Sequence, residues 1–144
     1  MALEEALIEA TRFFTRDVLG TEAELFDDTC PHREAWTATI DTTGDENWRV
    51  TVQIARHSLE KMAYLFLNEE SPDEEALTDL IQEIANLIVG RAKVVAASKG
   101  VGFNISTPDF KGEQAPVCDA ADKRINFLFE GDVFTIAAHK AEQP

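Results

Sequence analysis

The sequence predicts an α+β domain: an antiparallel sheet with a long central helix and further helices packed on it. Three observations carry this. Residues 36–54 and 125–138 alternate apolar with polar side chains, the period of strands with one buried face. Residues 72–99 keep helical spacing over the longest such run in the chain. The 144 residues contain no internal repeat, linker or low-complexity stretch, so residues 1–144 read as one domain able to bury a sizeable core.

Taken in order, Leu3, Leu7, Ala10, Phe13, Phe14 and Val18 recur at helical spacing, and Gly20 is a natural stop, giving a helix over 3–18. Trp36, Ala38 and Ile40, then a turn at Thr43-Gly44-Asp45, then Trp48, Val50, Val52 and Ile54 read as a hairpin. Both tryptophans are expected to pack beneath a helix. Leu59, Met62, Ala63 and Phe66 mark a helix over 58–67 with Ser58 as cap. The acidic stretch 69–75 looks like a helix start, with Ser71 as N-cap, Pro72 in the first position and Glu74 completing a capping box. That helix runs over 72–99 and ends at Gly100. Val101, Phe103 and Ile105 alternate as a strand. Residues 107–123, with Pro108, Gly112 and Pro116, read as irregular. Ile125, Phe127 and Phe129 form a strand, Glu130-Gly131-Asp132 turns, and Val133 to Ala138 form the last strand. Phe103, Phe127, Phe129 and Phe134 belong to the sheet core, and the tail from Lys140 is expected to fray.

A net charge of −14 repels phosphate backbones and anionic lipid, which disfavours nucleic-acid and membrane-surface roles and favours a partner with a basic face. No apolar run approaches the roughly 20 residues needed to span a bilayer. The acidic start Met1-Ala2-Leu3-Glu4-Glu5 does not resemble a signal peptide, so the expected compartment is the cytoplasm. There, Cys30 and Cys118, distant and outside any CxxC, are expected to be free thiols. His32, His57 and His139 are scattered over different elements, so no metal site is expected.

On a wheel of about 100° per residue, Leu77, Leu80, Ile81, Ile84, Ile88 and Val95 form the face of the long helix that must meet the sheet. Asp79, Glu83, Asn86 and Gly90 fall within roughly 60° of one another on the opposite side. Glu-x-x-Asn alone is a common spacing. Asn86, however, is a poor helix former in mid-helix, and Gly90 costs about 1 kcal/mol against Ala there. Two explanations of Gly90 stand at this point: room for another backbone to dock, or close packing within the chain.

The segment Asp79-Leu-Ile-Gln-Glu83-Ile-Ala-Asn86-Leu-Ile-Val-Gly90 resembles the signature helix of the CheC/CheX/FliY family of chemotaxis phosphatases: an acid or serine, Glu four residues on, Asn three further, Gly four further. The stretch from Phe103 through Ser106-Thr107-Pro108 to Gly112 resembles the family's strand and Ser/Thr-Pro turn after that helix. The order of elements is similar across nearly the whole chain. CheC and FliY carry the signature twice, whereas here Glu60 is followed three residues on by Ala63, Glu5 by Ile8 and Glu9 by Arg12, so the single site resembles CheX.

The resemblance implies a CheC-like fold, a homodimer joined through its sheet, and a phosphatase acting on the aspartyl phosphate of a CheY-type receiver domain. The side chains suit that job. There is no Ser/His/Asp set, metal-ligand cluster or phosphate loop, but an acyl phosphate is already activated and needs an oriented water. The Asn86 amide can accept from and donate to water without a proton to titrate. By the resemblance, Glu83 pairs with a receiver lysine and Gly90 admits the receiver backbone. Asp79 either helps docking or is a solvated acid. No cofactor is expected on this chain, and Mg²⁺ is expected on the receiver. The competing expectation is a non-catalytic receiver-binding or dimeric adaptor of the same fold.

Overall fold

The N-terminal amphipathic run forms α1 (Ala2–Phe13), which passes into a π-type turn at Phe14–Val18. The chain leaves it at Gly20, whose φ of +88° suits a residue without a Cβ. The computed structural model describes residues 2–26, 30–31 and 33–141. After β1 (Glu24–Leu25), a two-residue strand without a sequence signal, the predicted hairpin appears as β2 (Ala35–Gly44) and β3 (Trp48–Ile54), with Trp36 opposite Ile54 and Ile40 opposite Val50. Its turn lies at residues 45–47, slightly later than expected, because Gly44 still pairs with Phe103.

Helix α2 (Arg56–Leu67) begins two residues before the predicted start. Ala55 occupies the cap, and Ser58 is instead buried in the first turn, donating to Asp132 Oδ2 at 3.1 Å. The long helix is α3 (Glu74–Ser98). Its N-cap is Asp73, whose Oδ1 accepts from the Ala76 amide at 2.8 Å, in place of the predicted Ser71, so Ser71 and Pro72 precede the helix and Glu74 is its first residue rather than the partner in a capping box. Gly100 (φ +83°) ends it as expected. The Val101 amide donates to Ala96 O and the Gly100 amide to Ala97 O, the paired bonds of a Schellman stop.

Strand β4 (Phe103–Ile105) follows, and then β5 (Asp109–Gln114), which corrects the irregular reading of 107–123. This strand lies along the first half of β2 with a register shift between Thr37 and Ala38. Strands β6 (Lys123–Phe129) and β7 (Asp132–Lys140) complete an antiparallel sheet ordered β1-β6-β7-β3-β2-β4, with β5 also on β2. Glu130 (φ +49°) and Gly131 (φ +83°) make the tight turn between them. Lys140 ends β7 rather than fraying, and residues 142–144 lie outside the described residues.

The helices pack on one face of this sheet. Leu77, Leu80, Ile81, Ile84, Ile88 and Val95 of α3 are buried in one cluster with Trp36, Ala38, Ile40, Trp48, Val50, Val52 and Ile54, and with Phe103, Phe127, Phe129 and Phe134. Each large side chain so buried contributes roughly 2 kcal/mol. The α3 stripe is thereby committed to the sheet, and α1 lies alongside α3.

The other face is buried too, but with small polar side chains: Thr37, Thr39, Thr51, Gln53, Asn126 and Thr135. Part of its cover is the segment after β5. The Gln53 amide donates to Ala115 O and Thr37 Oγ1, both at 3.0 Å, and its Oε1 accepts from the Val117 amide at 2.9 Å. A short 3₁₀ turn at Cys118–Ala120 then brings Cys118 against Cys30. The two form a disulfide across 88 residues with Cα atoms 5.9 Å apart, which overturns the expectation of free thiols. Their distance in sequence is no obstacle, because the strap carries Cys118 back across the sheet to the segment entering β2.

Candidate functional site

Helix α3 spans about 37 Å at 1.5 Å per residue and is anchored by its apolar stripe over most of that length. That anchoring fixes which side chains face outward. Asp79, Glu83 and Asn86 are exposed and Gly90 is half-buried, so all four predicted positions lie on one outward stripe. Glu83 and Asn86 are separated by about 4.5 Å of rise, and Asp79 and Asn86 by about 10.5 Å. None of the three polar side chains hydrogen-bonds or ion-pairs with another described residue. Their neighbours are engaged: Thr78 Oγ1 donates to Glu74 O at 2.8 Å and Gln82 Nε2 to Thr78 O at 3.1 Å.

Gly90 decides between its two explanations. A Cβ built there meets nothing within 4 Å, and its φ lies outside the left-handed region. Neither backbone conformation nor internal packing requires glycine at this position, so close packing within the chain is not its role. Gly44 is the contrast, since a Cβ there would stand 2.9 Å from Gly102 O.

Beside the stripe lies a feature with no predicted counterpart, a groove of about 330 Å³ between α3 and the end of α1. Phe13, Phe14 and Val18 form one wall; Asn86, Leu87, Gly90, Arg91 and Val94 form the other. Val94 is 61% exposed, large for a valine in a helix with a buried apolar stripe. The Arg91 guanidinium lies over the Phe13 ring with its carbon 3.9 Å from the centroid, a cation–π contact. Val94 sits eight residues after Asn86 and four after Gly90, so its spacing alone could have joined it to the stripe.

Two carboxylates are held below their ordinary value, both off the stripe: Asp17, by Arg16 and by the charge of Arg91, and Asp132. Burial pushes Asp132 upward, but hydrogen bonds from Arg33 at 3.0 Å and Ser58 at 3.1 Å, with the charges of Arg33 and His57, bring it below its ordinary value. It clamps the β6–β7 turn to α2. His57 lies on α2 and His139 on β7, while His32 lies outside the described residues. Ser106, in the segment similar to the family's Ser/Thr-Pro turn, is structural in this geometry: its Oγ accepts from the Asp41 amide at 2.9 Å.

Asp79, Glu83 and Asn86 thus form an exposed acid–acid–amide stripe beside a glycine that nothing inside the chain requires. Residues 36–130, from the hairpin through α3 to β6, match the family model for the chemotaxis phosphatase CheX. The chain belongs to the CheX family. Solved CheX structures share its fold. That of Vibrio vulnificus superposes with a TM-score of 0.81 at 16% identity, covering 95% of both chains. That of Desulfovibrio desulfuricans gives 0.78 at 16% identity over 98% of this chain and 100% of its own. A CheX from Borrelia burgdorferi, solved in complex with CheY, BeF₃ and Mg²⁺, gives 0.75 at 18% identity over 96% and 98%. A sequence comparison with curated proteins finds no match. The α+β, CheC-like architecture expected from the sequence is thus the fold observed. Among the described residues, no helix is long and apolar enough to cross a membrane.

Proposed function

We propose that this CheX-family chain hydrolyses the aspartyl phosphate of a CheY-type receiver domain, docking the receiver on the outer stripe of α3. The observation that carries the reading is the stripe itself: Glu83 and Asn86 exposed without partners, and Gly90 a glycine that nothing inside the molecule requires. The family's name and the Borrelia CheX–CheY complex support it.

Each side chain has a role limited by its chemistry. Asn86 is oriented rigidly by the helix and can hold a water with its amide oxygen and NH₂ while transferring no proton. The water attacks phosphorus in line. The bond between phosphorus and the aspartyl oxygen breaks, inorganic phosphate leaves, the carboxylate is restored, and a proton passes to solvent. Glu83, one turn away, pairs with a lysine on the receiver and fixes the docked geometry. Asp79 adds negative charge at the same end, and Gly90 lets the receiver backbone approach. The receiver supplies Mg²⁺, which neutralises phosphoryl charge there.

With such a partner the chain works in the cytoplasm. We also propose a homodimer joined through the sheet, for which the outer edges of β4 and β5 offer backbone groups not paired within the described residues. The test of the main reading is to follow phosphate loss from the host's phosphorylated receivers with and without the protein. Acceleration of at least one receiver is expected. Binding to a receiver without acceleration would replace the phosphatase with an adaptor.

A further inference from the structure

We propose that the groove between α1 and α3 is the second half of the receiver's docking surface, and that Arg91 sets the receiver's orientation on it. This rests on the reading that the receiver brings its phosphoryl group to Asn86. Asn86 lines the groove as well as the outer stripe, so a body seated on Asn86 also covers the groove. Gly90 forms part of the groove wall with free space where a side chain would stand. Val18 and Val94, 39% and 61% exposed, leave apolar surface in water on the two walls of the groove beside Asn86.

The charges along the face are ordered. Asp79 and Glu83 stand toward the N-terminal end of α3 and Arg91 toward the other, about 18 Å from Asp79 along the helix axis. Arg91 makes no ion pair within 4 Å among the described residues; its charge helps hold Asp17 below the usual carboxylate range, after the larger effect of Arg16, and its guanidinium lies over the Phe13 ring. The fitting partner surface therefore carries a cation at one end and an acid at the other. Beyond that acid, an apolar side chain stands about 12 Å along the α3 axis from the water site at Asn86, at the level of Val94 and one turn past Arg91. A receiver turned end for end would set like charges against each other at both ends, and the polarity rejects it.

The experiment compares wild type with Val94→Asp and Arg91→Glu. It measures KM and kcat for receiver dephosphorylation, and Kd for the same receiver loaded with BeF₃ and Mg²⁺. Both positions are exposed, and matching thermal melts establish that the variants fold. Tenfold or larger rises in KM and Kd are expected from either variant, in contrast to Asn86→Ala, whose loss falls on kcat. If wild type accelerates phosphate loss and both variants keep KM and Kd within twofold of it, the groove is not part of the docking surface, while the function stands. If wild type neither binds nor dephosphorylates any host receiver, the function itself falls and takes the groove with it. A monomer–dimer equilibrium that Val94→Asp abolishes would assign the groove to a second copy of this chain and overturn the receiver as occupant.

Discussion

On the outer stripe of α3, Asp79, Glu83 and Asn86 stand in solvent with no partner among the described residues, and Gly90 occupies a helix position where alanine would fit. On the far face of the sheet, Thr37, Gln53, Asn126 and Thr135 are in the opposite condition. Gln53 uses both ends of its amide, Thr135 Oγ1 donates to Asn126 Oδ1 at 2.7 Å, and the strap over them is tied down by a disulfide. Both regions are polar surfaces next to a large apolar core. They differ in whether the molecule itself uses the polarity. Where the molecule's own groups take up the polarity, as at Thr37, Gln53 and Thr135, it serves the fold. Where unfavourable helix residues persist with nothing to satisfy, the fold does not account for them, and the proposed docking of a receiver does.

This contrast predicts a clean separation of effects. The largest belongs to the far face. Breaking the Cys30–Cys118 disulfide, by reduction or Cys118→Ser, releases a cross-link that closes an 88-residue loop and should lower unfolding free energy by about 4 to 5 kcal/mol. Chemical denaturation with and without reductant measures it. Because α3 lies across the sheet, the fraction still folded should keep its full rate of receiver dephosphorylation. A reduced protein that stays folded yet loses activity would join the two faces and end the contrast.

Asn86→Ala reverses the pattern. An exposed side chain without partners can be removed with little change in melting temperature, and alanine raises helix propensity. The rate of phosphate loss should fall on the order of 100-fold, the scale set by removing one oriented polar group from a transition state. Kd for the BeF₃-loaded receiver should stay near the wild-type value. An unchanged decay rate would remove the oriented-water mechanism.

Glu83→Ala should be milder and of a different kind. Loss of one exposed charge pair should raise KM and Kd by about tenfold, and the difference from wild type should shrink as salt rises. A difference indifferent to ionic strength would mean that Glu83 does not act through its charge.

The features of the molecule legible in its sequence are those with a local physical record. The stripe from Leu77 to Val95 is written in a 3.6-residue period because one side of α3 is buried, and the same arithmetic puts Asp79, Glu83, Asn86 and Gly90 together outside. Strand β5 leaves no such record. It is a largely exposed edge strand containing Gly112, so its pattern reflects solvent rather than a buried face. The α3 cap falls at Asp73 rather than Ser71 because both residue types serve equally and the choice depends on where the helix meets the core. Ser58 reads as a cap, yet its partner, Asp132, arrives from β7. The disulfide and the groove are likewise products of topology. Cys118 meets Cys30, and Phe13 meets Arg91, only after the sheet and helices have formed.

The smallest expected effect tests the contrast most sharply, because its two readouts have opposite signs. Gly90→Ala adds a methyl group that meets nothing within 4 Å and replaces a residue that is disfavoured by about 1 kcal/mol in a helix interior. Melting temperature should therefore rise, with a gain of roughly 0.5 to 1 kcal/mol. The same methyl stands where the receiver backbone is proposed to come closest, so KM should rise severalfold. A residue kept for folding cannot give that pair of results: its replacement would cost stability, or leave activity alone. Gain in stability with unchanged dephosphorylation would leave Gly90 without a role on this face. Gain in stability with weakened docking would show that glycine is retained there at the expense of the fold, as room for a partner.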